Sequence, residues 1–398
     1  MTVVGIGADG WDVLSPTARA RVGAAAVVLG GRRHLDLLPD VPGQRREPWP
    51  SPLREGLPDL LASVGGQTVV ALASGDPMVS GIGTTLVELL GRDAVHVVPA
   101  VSSVALARAT LGWSAESCAV VSLVGREPSL LLRELAPGRR VLVLSSDEHT
   151  PRRVAQLLVD ADYGDSELTV LGDLGGPEAG SARFDRARVL TADDLPFPRL
   201  NVVALDLVGP HRGGWVAGLP DDAFEHDGQL TKRDLRASAL ARLAPAPGQH
   251  LWDVGAGAGS VGIEWMRAHP TCTATAVEAD PDRAARIGRN ASRLGVPGLR
   301  VVPGRAPQAL ADLPVPDAVF VGGGATRAGV LDACLAALPA GGRLVVHGVT
   351  LETEQLLGRL HAERAGELTR IAVETAAPIG GFRGWTPART VTQWAFTA

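Results

Sequence analysis

Short apolar runs alternate with stretches of helical period along most of the chain, and this alternation predicts an α/β architecture. In the first half, runs at 2–6, 25–29, 68–73 and 95–98 predict buried strands joined by helices. Further strands are predicted at 119–123, 141–144, 168–171 and 201–205, with a glycine-rich loop over 172–180. Residues 39–58 are dense in proline and predict a loop. Strands alternating with helices imply mostly parallel sheets with ligands at the strand C-terminal ends. The expected domain of residues 1–207 divides into subdomains of about 1–112 and 113–207, and a Gly/Pro-rich linker (VGPHRGGWVAGLP) follows over 208–220.

A second domain is expected over 221–398. Thr231 predicts a helix N-cap, with Asp234 at the third helical position. A strand ends at Asp253, and others are predicted at 274–277, 299–302, 318–321 and 343–347. Tail strands near 368–374 and 390–396 predict a closing hairpin.

Composition narrows the class. The 398 residues are 45% hydrophobic and 20% charged, which suits two or three globular domains. A net charge of −5 leaves no basic footprint for nucleic acid. Arginine supplies every basic side chain except one, Lys232. Cys118, Cys272 and Cys334 are scattered, form no metal-ligand spacing and read as small buried hydrophobes of a reducing compartment. Val3 to Gly7 already reads as strand, so no signal peptide is expected, and no apolar run nears the ~20 residues of a membrane span. The expected location is cytoplasmic, with no membrane partner.

The candidate chemistry centres on LWDVGAGAGSVG, where Gly255, Gly257 and Gly259 follow a strand and open a helix. Such a turn brings backbone N–H groups against a nucleotide-like ligand. Glu278, ending the next strand, suits the ribose hydroxyls of either NAD or S-adenosylmethionine, so the residues alone leave both open. The downstream order, Gly304-Arg305-Ala306-Pro307 and then Gly322-Gly323-Gly324, resembles the class I (Rossmann-like) S-adenosylmethionine methyltransferases. That resemblance implies cofactor contacts from Gly255, Ala256, Gly257, Ala258 and Gly259, with Asp253 at the methionine end, Glu278 at the ribose and Gly304, Arg305 and Ala306 at the adenine.

Two further resemblances sharpen the expectation. Asp221-Asp222, Gly228-Gln-Leu-Thr231-Lys232 and the glycine turn are similar to the decarboxylating module of the cobalamin-pathway methyltransferases, which implies that Thr231 approaches the cofactor. Gly5-Ile6-Gly7, Ser74-Gly75-Asp76-Pro77 with Gly81-Ile82-Gly83, and Pro99-Ala-Val-Ser102-Ser103 resemble the tetrapyrrole (precorrin) methylases, with their two-subdomain fold. Ala8-Asp9-Gly10 departs from the Pro-Gly-Asp of many relatives. The implied cofactor residues there are Gly5, Gly7, Gly75, Asp76, Ser102 and Ser103.

Together the resemblances imply a fused enzyme of cobalamin biosynthesis with two S-adenosylmethionine sites and no metal. It would methylate a precorrin at C-5 in the N-terminal half and at C-15 in the C-terminal half. The C-terminal half would also remove the C-12 acetate carboxyl, converting precorrin-6B to precorrin-8X. A cobalt-precorrin substrate and a non-catalytic tetrapyrrole carrier remain alternatives, and a homo-oligomer is the expected assembly. Asp222, His226 and Lys232 are the candidate catalytic residues, because loss of CO₂ needs a proton donor near the ring. Arg32, Arg33, Arg126, Arg233 and Arg383 are candidate contacts for the substrate carboxylates.

Overall fold

The computed structural model describes residues 1–192, 195–211 and 213–398, so Arg212 of the expected linker lies outside the described residues. The chain forms two compact units, Met1–Pro128 with Pro137–Pro210, and Ser129–Ala136 with His211–Ala398.

In the first unit, β1 (Thr2–Ile6), β2 (Val27–Gly30), β3 (Arg45–Pro48), β4 (Val69–Ser74) and β5 (His96–Val98) form one sheet in the order β3-β2-β4-β1-β5. Every pair in it is parallel. Val3, Val4, Ile6, Val27, Val28, Leu29, Ala71 and Leu72 are fully buried, and the larger of these side chains contribute roughly 1.5–3 kcal/mol each by leaving water. The proline-dense stretch expected as loop holds β3 and the helix Leu53–Ser63. Leu53, Leu57, Leu60 and Leu61 fall at helical spacing there, but Pro58 at the sixth helical residue and the prolines ahead of it hide the period.

The second sheet of this unit contains β6 (Cys118–Ser122), β7 (Arg140–Leu144), β8 (Glu167–Gly172), β9 (Gly180–Phe184) and β10 (Asn201–Asp206), in the order β6-β7-β10-β8-β9. Only β6 and β7 run parallel, so the expectation of a mostly parallel sheet fails here. β10 inserts between β7 and β8, antiparallel to both. Its first five residues are all buried, and a strand covered on both faces reads as one apolar run whichever way it points.

The second unit is built on a seven-stranded sheet ordered β13-β12-β11-β14-β15-β19-β16. Its parallel part is β11 (His250–Val254), β12 (Thr273–Glu278), β13 (Arg300–Pro303), β14 (Ala318–Val321) and β15 (Arg343–Gly348). The strand order reverses between β11 and β14, which opens a crevice at their C-terminal ends. β16 (Glu367–Ile371) pairs antiparallel with β19 (Val391–Thr397), as the tail pattern predicts. An additional hairpin, β17 (Glu374–Ile379) and β18 (Phe382–Pro387), stands between them and exposes Ile379, Phe382 and Trp385. Among the described residues, no helix is long and apolar enough to cross a membrane. Cys272 and Cys334 are buried, but Cys118 is only half-buried, its sulfur accepting from the Arg108 guanidinium.

Candidate functional site

At the crevice of the second unit, β11 runs out into the glycine turn. Gly255 has φ +68°, and a Cβ there would lie 2.9 Å from the backbone nitrogen and oxygen of Gly323, so the turns after β11 and β14 touch backbone to backbone. Gly257, at φ +58°, would set a Cβ 2.9 Å from the Gln229 carbonyl oxygen, because residues 228–232 close over the turn. Only glycine fits at either position. The Gly257 N–H donates to Glu278 Oε2 at 2.8 Å, and Glu278 Oε1 accepts from the Asp280 N–H at 3.0 Å. Both carboxylate oxygens are held, and each keeps a lone pair for a ligand hydroxyl.

These elements enclose a cavity of about 440 Å³. Thr231, Lys232, Gly255, Ala256, Gly257, Glu278, Arg305 and Ala306 all line it, so the fold gathers most of the expected C-terminal residues. Ala258 and Gly259 do not reach it. Ala258 is buried in the core, and Gly259 caps the helix Ser260–Ala268 with its backbone against Ile287. Asp253 is likewise absent from the lining: it is 1% exposed, and its Oδ2 accepts from the Gly262 N–H at 2.9 Å inside the strand–helix interface. Burial, followed by the nearby Glu278 charge, pushes its pKa up to about 7, although the Gly262 bond opposes the shift.

Of the three candidate catalytic residues only Lys232 lines the cavity; it is half exposed, with Nζ 3.6 Å from Asp221 Oδ2. Asp222 opens instead on a separate hollow shared with Arg233, Arg267 and Arg293. His226 points away, its Nδ1 accepting from the Gly228 N–H at 3.0 Å. The cause is the route of the chain before the loop, which is strapped along the helix Pro281–Arg293. Glu225 pairs with Arg289 at 2.6 Å, Asp227 pairs with Arg283 at 2.8 Å, and the Asn290 amide donates to the carbonyls of Glu225 and Ala258. The Arg283 bond holds the Asp227 carboxyl well below the usual range.

The helix after the loop starts one residue later than expected, at Arg233, and the Thr231 hydroxyl does not cap it. Asp221 accepts from the Arg233 N–H at 3.0 Å in its place. Beneath it, Arg236 is fully buried and meets Glu264 at 2.6 Å, while Glu264 also accepts from the N–H groups of Gly218 and Leu219 at 2.6 and 2.9 Å. Arg236 further donates to the Thr231 and Leu219 carbonyls. Sequence reasoning missed this pair, since both residues read as the polar face of an ordinary helix.

It also missed His347, which lines the cavity from the end of β15. The available signal was a lone polar residue closing an apolar strand, where α/β sheets hold ligands. The candidate arginines Arg32, Arg33, Arg126, Arg233 and Arg383 are not in this lining; Arg283, Arg305 and Arg327 are.

In the first unit a cavity of about 290 Å³ opens at the ends of β1 and β5, and Gly5 and Gly7 line it. Gly75, Asp76, Ser102 and Ser103 are not among its lining residues. Gly75 backs Gly5, whose Cβ would fall 2.0 Å from the Gly75 carbonyl oxygen. The Asp76 carboxylate accepts from the Met78 N–H at 2.9 Å within its own turn. The Ser102 hydroxyl caps the helix Ser103–Leu111 by accepting from the Ala105 N–H at 3.1 Å, so its side chain is engaged locally.

The family described as Tetrapyrrole (Corrin/Porphyrin) Methylases matches residues 1–184, and the Precorrin methyltransferase domain matches residues 222–398. A precorrin-6Y C(5,15)-methyltransferase [decarboxylating] from Sinorhizobium sp is 46% identical, covering 100% of this chain and 96% of its own. The chain belongs to that family. A second member, from Mycobacterium tuberculosis, is 44% identical over 99% of both chains. A solved structure, the C-terminal domain of precorrin-6Y C5,15-methyltransferase from Rhodobacter capsulatus, is 45% identical, covering 47% of this chain and all of that one, with a TM-score of 0.45.

Proposed function

We propose that this chain is an S-adenosylmethionine-dependent C-methyltransferase that methylates a precorrin at C-5 and C-15 and decarboxylates its C-12 acetate, in the cytoplasm. The observation that carries this reading is 46% identity to a decarboxylating precorrin-6Y C(5,15)-methyltransferase along the entire chain. Each half holds one methyl-donor site, the N-terminal half serving C-5 and the C-terminal half serving C-15 and the decarboxylation.

The residues fit the donor. In the C-terminal cavity, the Gly255–Gly323 contact leaves a backbone cradle that any Cβ would fill, and Glu278 offers a held carboxylate at the strand end. When bound, S-adenosylmethionine supplies an electrophilic methyl on sulfur. The chain's part is to hold the ring carbon in line with that methyl and exclude water. Thr231 and Lys232 close the loop over the cavity, and Arg305 and Arg327 suit the carboxylates of a tetrapyrrole. Gly5 and Gly7 form the corresponding cradle of the N-terminal half; Gly75 backs Gly5, and the Ser102 and Ser103 backbone lies against Gly75 in turn.

Mass spectrometry of the product made with isotopically labelled S-adenosylmethionine tests the reading: two methyls gained and one CO₂ lost are expected. Calorimetry with S-adenosylhomocysteine should find two sites per chain, whereas none would favour a carrier. Exposed Ile379, Phe382 and Trp385 on the β17–β18 hairpin favour a homo-oligomer, which sedimentation checks.

A further inference from the structure

We propose that His347 is the catalytic acid of the decarboxylation, returning a proton to the methylene carbon that loses its carboxyl. This rests on the function proposed above. The loss of CO₂ from the C-12 acetate breaks the bond between the methylene and carboxyl carbons. The electron pair passes into the protonated, conjugated macrocycle and CO₂ leaves. The pair then returns to the methylene carbon and forms a C–H bond, giving a methyl group. One proton must be delivered to carbon.

His347 is placed for that delivery. It ends β15 beside the cavity, is 9% exposed, and lies directly across from Gln393 of β19. Its Nε2 sits 2.9 Å from Gln393 Oε1, and Gln393 is fully buried, so the ring orientation is fixed. The Phe320 ring packs edge-on with its centroid 5.0 Å away. With Nε2 engaged by Gln393 and His347 lining the cavity, Nδ1 is the ring nitrogen left to meet a ligand.

The surroundings suit a proton that is picked up and then released. Burial holds the imidazole pKa down to about 4, opposed by the Gln393 bond and assisted by the charge of Arg242 on the helix Arg233–Leu243. Lys232, Glu278, Arg283, Arg305 and Arg327 are the charged groups lining the same cavity. A substrate carboxylate brought against Nδ1 favours the imidazolium, which takes its proton from solvent. Departure of that carboxylate as neutral CO₂ removes the counter-charge, and the desolvated imidazolium is again a strong acid beside the carbon that needs the proton. Lys232, solvated and facing Asp221, suits binding a carboxylate better than protonating carbon.

The test uses the full chain with labelled S-adenosylmethionine, following CO₂ release and product mass. His347→Asn should slow decarboxylation by at least about 100-fold. C-5 methylation should continue, and S-adenosylhomocysteine affinity by calorimetry should stay within about twofold, a difference of under ~0.5 kcal/mol. Gln393→Glu sets a carboxylate against Nε2 and should move the alkaline limb of the decarboxylation pH profile up by about one unit. In the wild-type chain, the His347 NMR titration should rise when the tetrapyrrole is added. CO₂ release at the wild-type rate from His347→Asn, a parallel loss of S-adenosylhomocysteine affinity, or an unshifted pH limb in Gln393→Glu would each overturn the role of His347. If the wild-type chain itself neither methylates nor decarboxylates a precorrin, the functional reading fails instead.

Discussion

A single methyl group on Gly257 decides whether the loop over the C-terminal cavity can close. Its Cβ would meet the Gln229 carbonyl oxygen at 2.9 Å, and φ +58° adds strain of about 1–3 kcal/mol for any residue with a side chain. Gly257→Ala should therefore weaken S-adenosylhomocysteine binding at that site by roughly 10-fold or more, read by calorimetry. Unchanged affinity would mean that residues 228–232 do not form part of the site. Asp253 makes a different kind of statement. Its folded pKa, about 7, lies above the ordinary 3.8, so between these values the folded chain keeps a proton that the unfolded chain has lost. The stabilisation is fully present below 3.8 and is lost as pH rises through about 7. Asp253→Asn carries no charge at any pH and keeps an oxygen for the Gly262 N–H. Its stability relative to wild type should rise between pH 5 and pH 8 in denaturant unfolding. A gap that stays constant across that range would contradict burial as the cause.

At the scale of elements, the Arg236–Glu264 pair couples two helices to the segment ahead of the cavity loop. Both side chains are essentially solvent-free, and Asp221, 3.4 Å from Arg236 and partly exposed, is the counter-charge that remains when Glu264 is neutralised, so the buried guanidinium is left poorly compensated. Glu264→Gln should cost about 3 kcal/mol in unfolding free energy and loosen residues 218–221. A loss below 1 kcal/mol, of the order expected for an exposed pair, would show that water reaches the site. The same scale explains which elements were legible. The strands β11 to β15 are apolar runs bounded by glycine or acidic residues, and pattern alone located them. β9, with mostly exposed residues, and the β17–β18 hairpin, exposed throughout most of its length, carry no apolar period to read. The direction of β10 was equally illegible, because burial on both faces erases the alternation that an antiparallel strand otherwise displays.

For the whole molecule, the halves should fail separately. Gly5→Ala would drive a methyl into the Gly75 carbonyl oxygen, now 2.0 Å from the Cβ position, and push the ends of β1 and β4 apart. C-5 methylation should be lost while C-15 methylation and CO₂ release continue, as product masses would reveal. Simultaneous loss of all three from a folded variant would rule out separate sites. The sequence by itself determined the α/β class, the places of the glycine turns and the acidic end of β12, because turns and buried strands are local consequences of residue type and spacing. It also placed Lys232 beside the loop. Only the tertiary structure decided which side chains meet. Sheet order brings His347 from the end of β15, and its cross-strand partner Gln393 from a strand over forty residues on, to the cavity that begins at Gly255. The strap along the helix Pro281–Arg293 turns Asp222 and His226 away from that cavity, and burial beneath the turn removes Asp253 from it. Contacts between residues distant along the chain are made by packing, and no periodicity in a one-dimensional pattern encodes them.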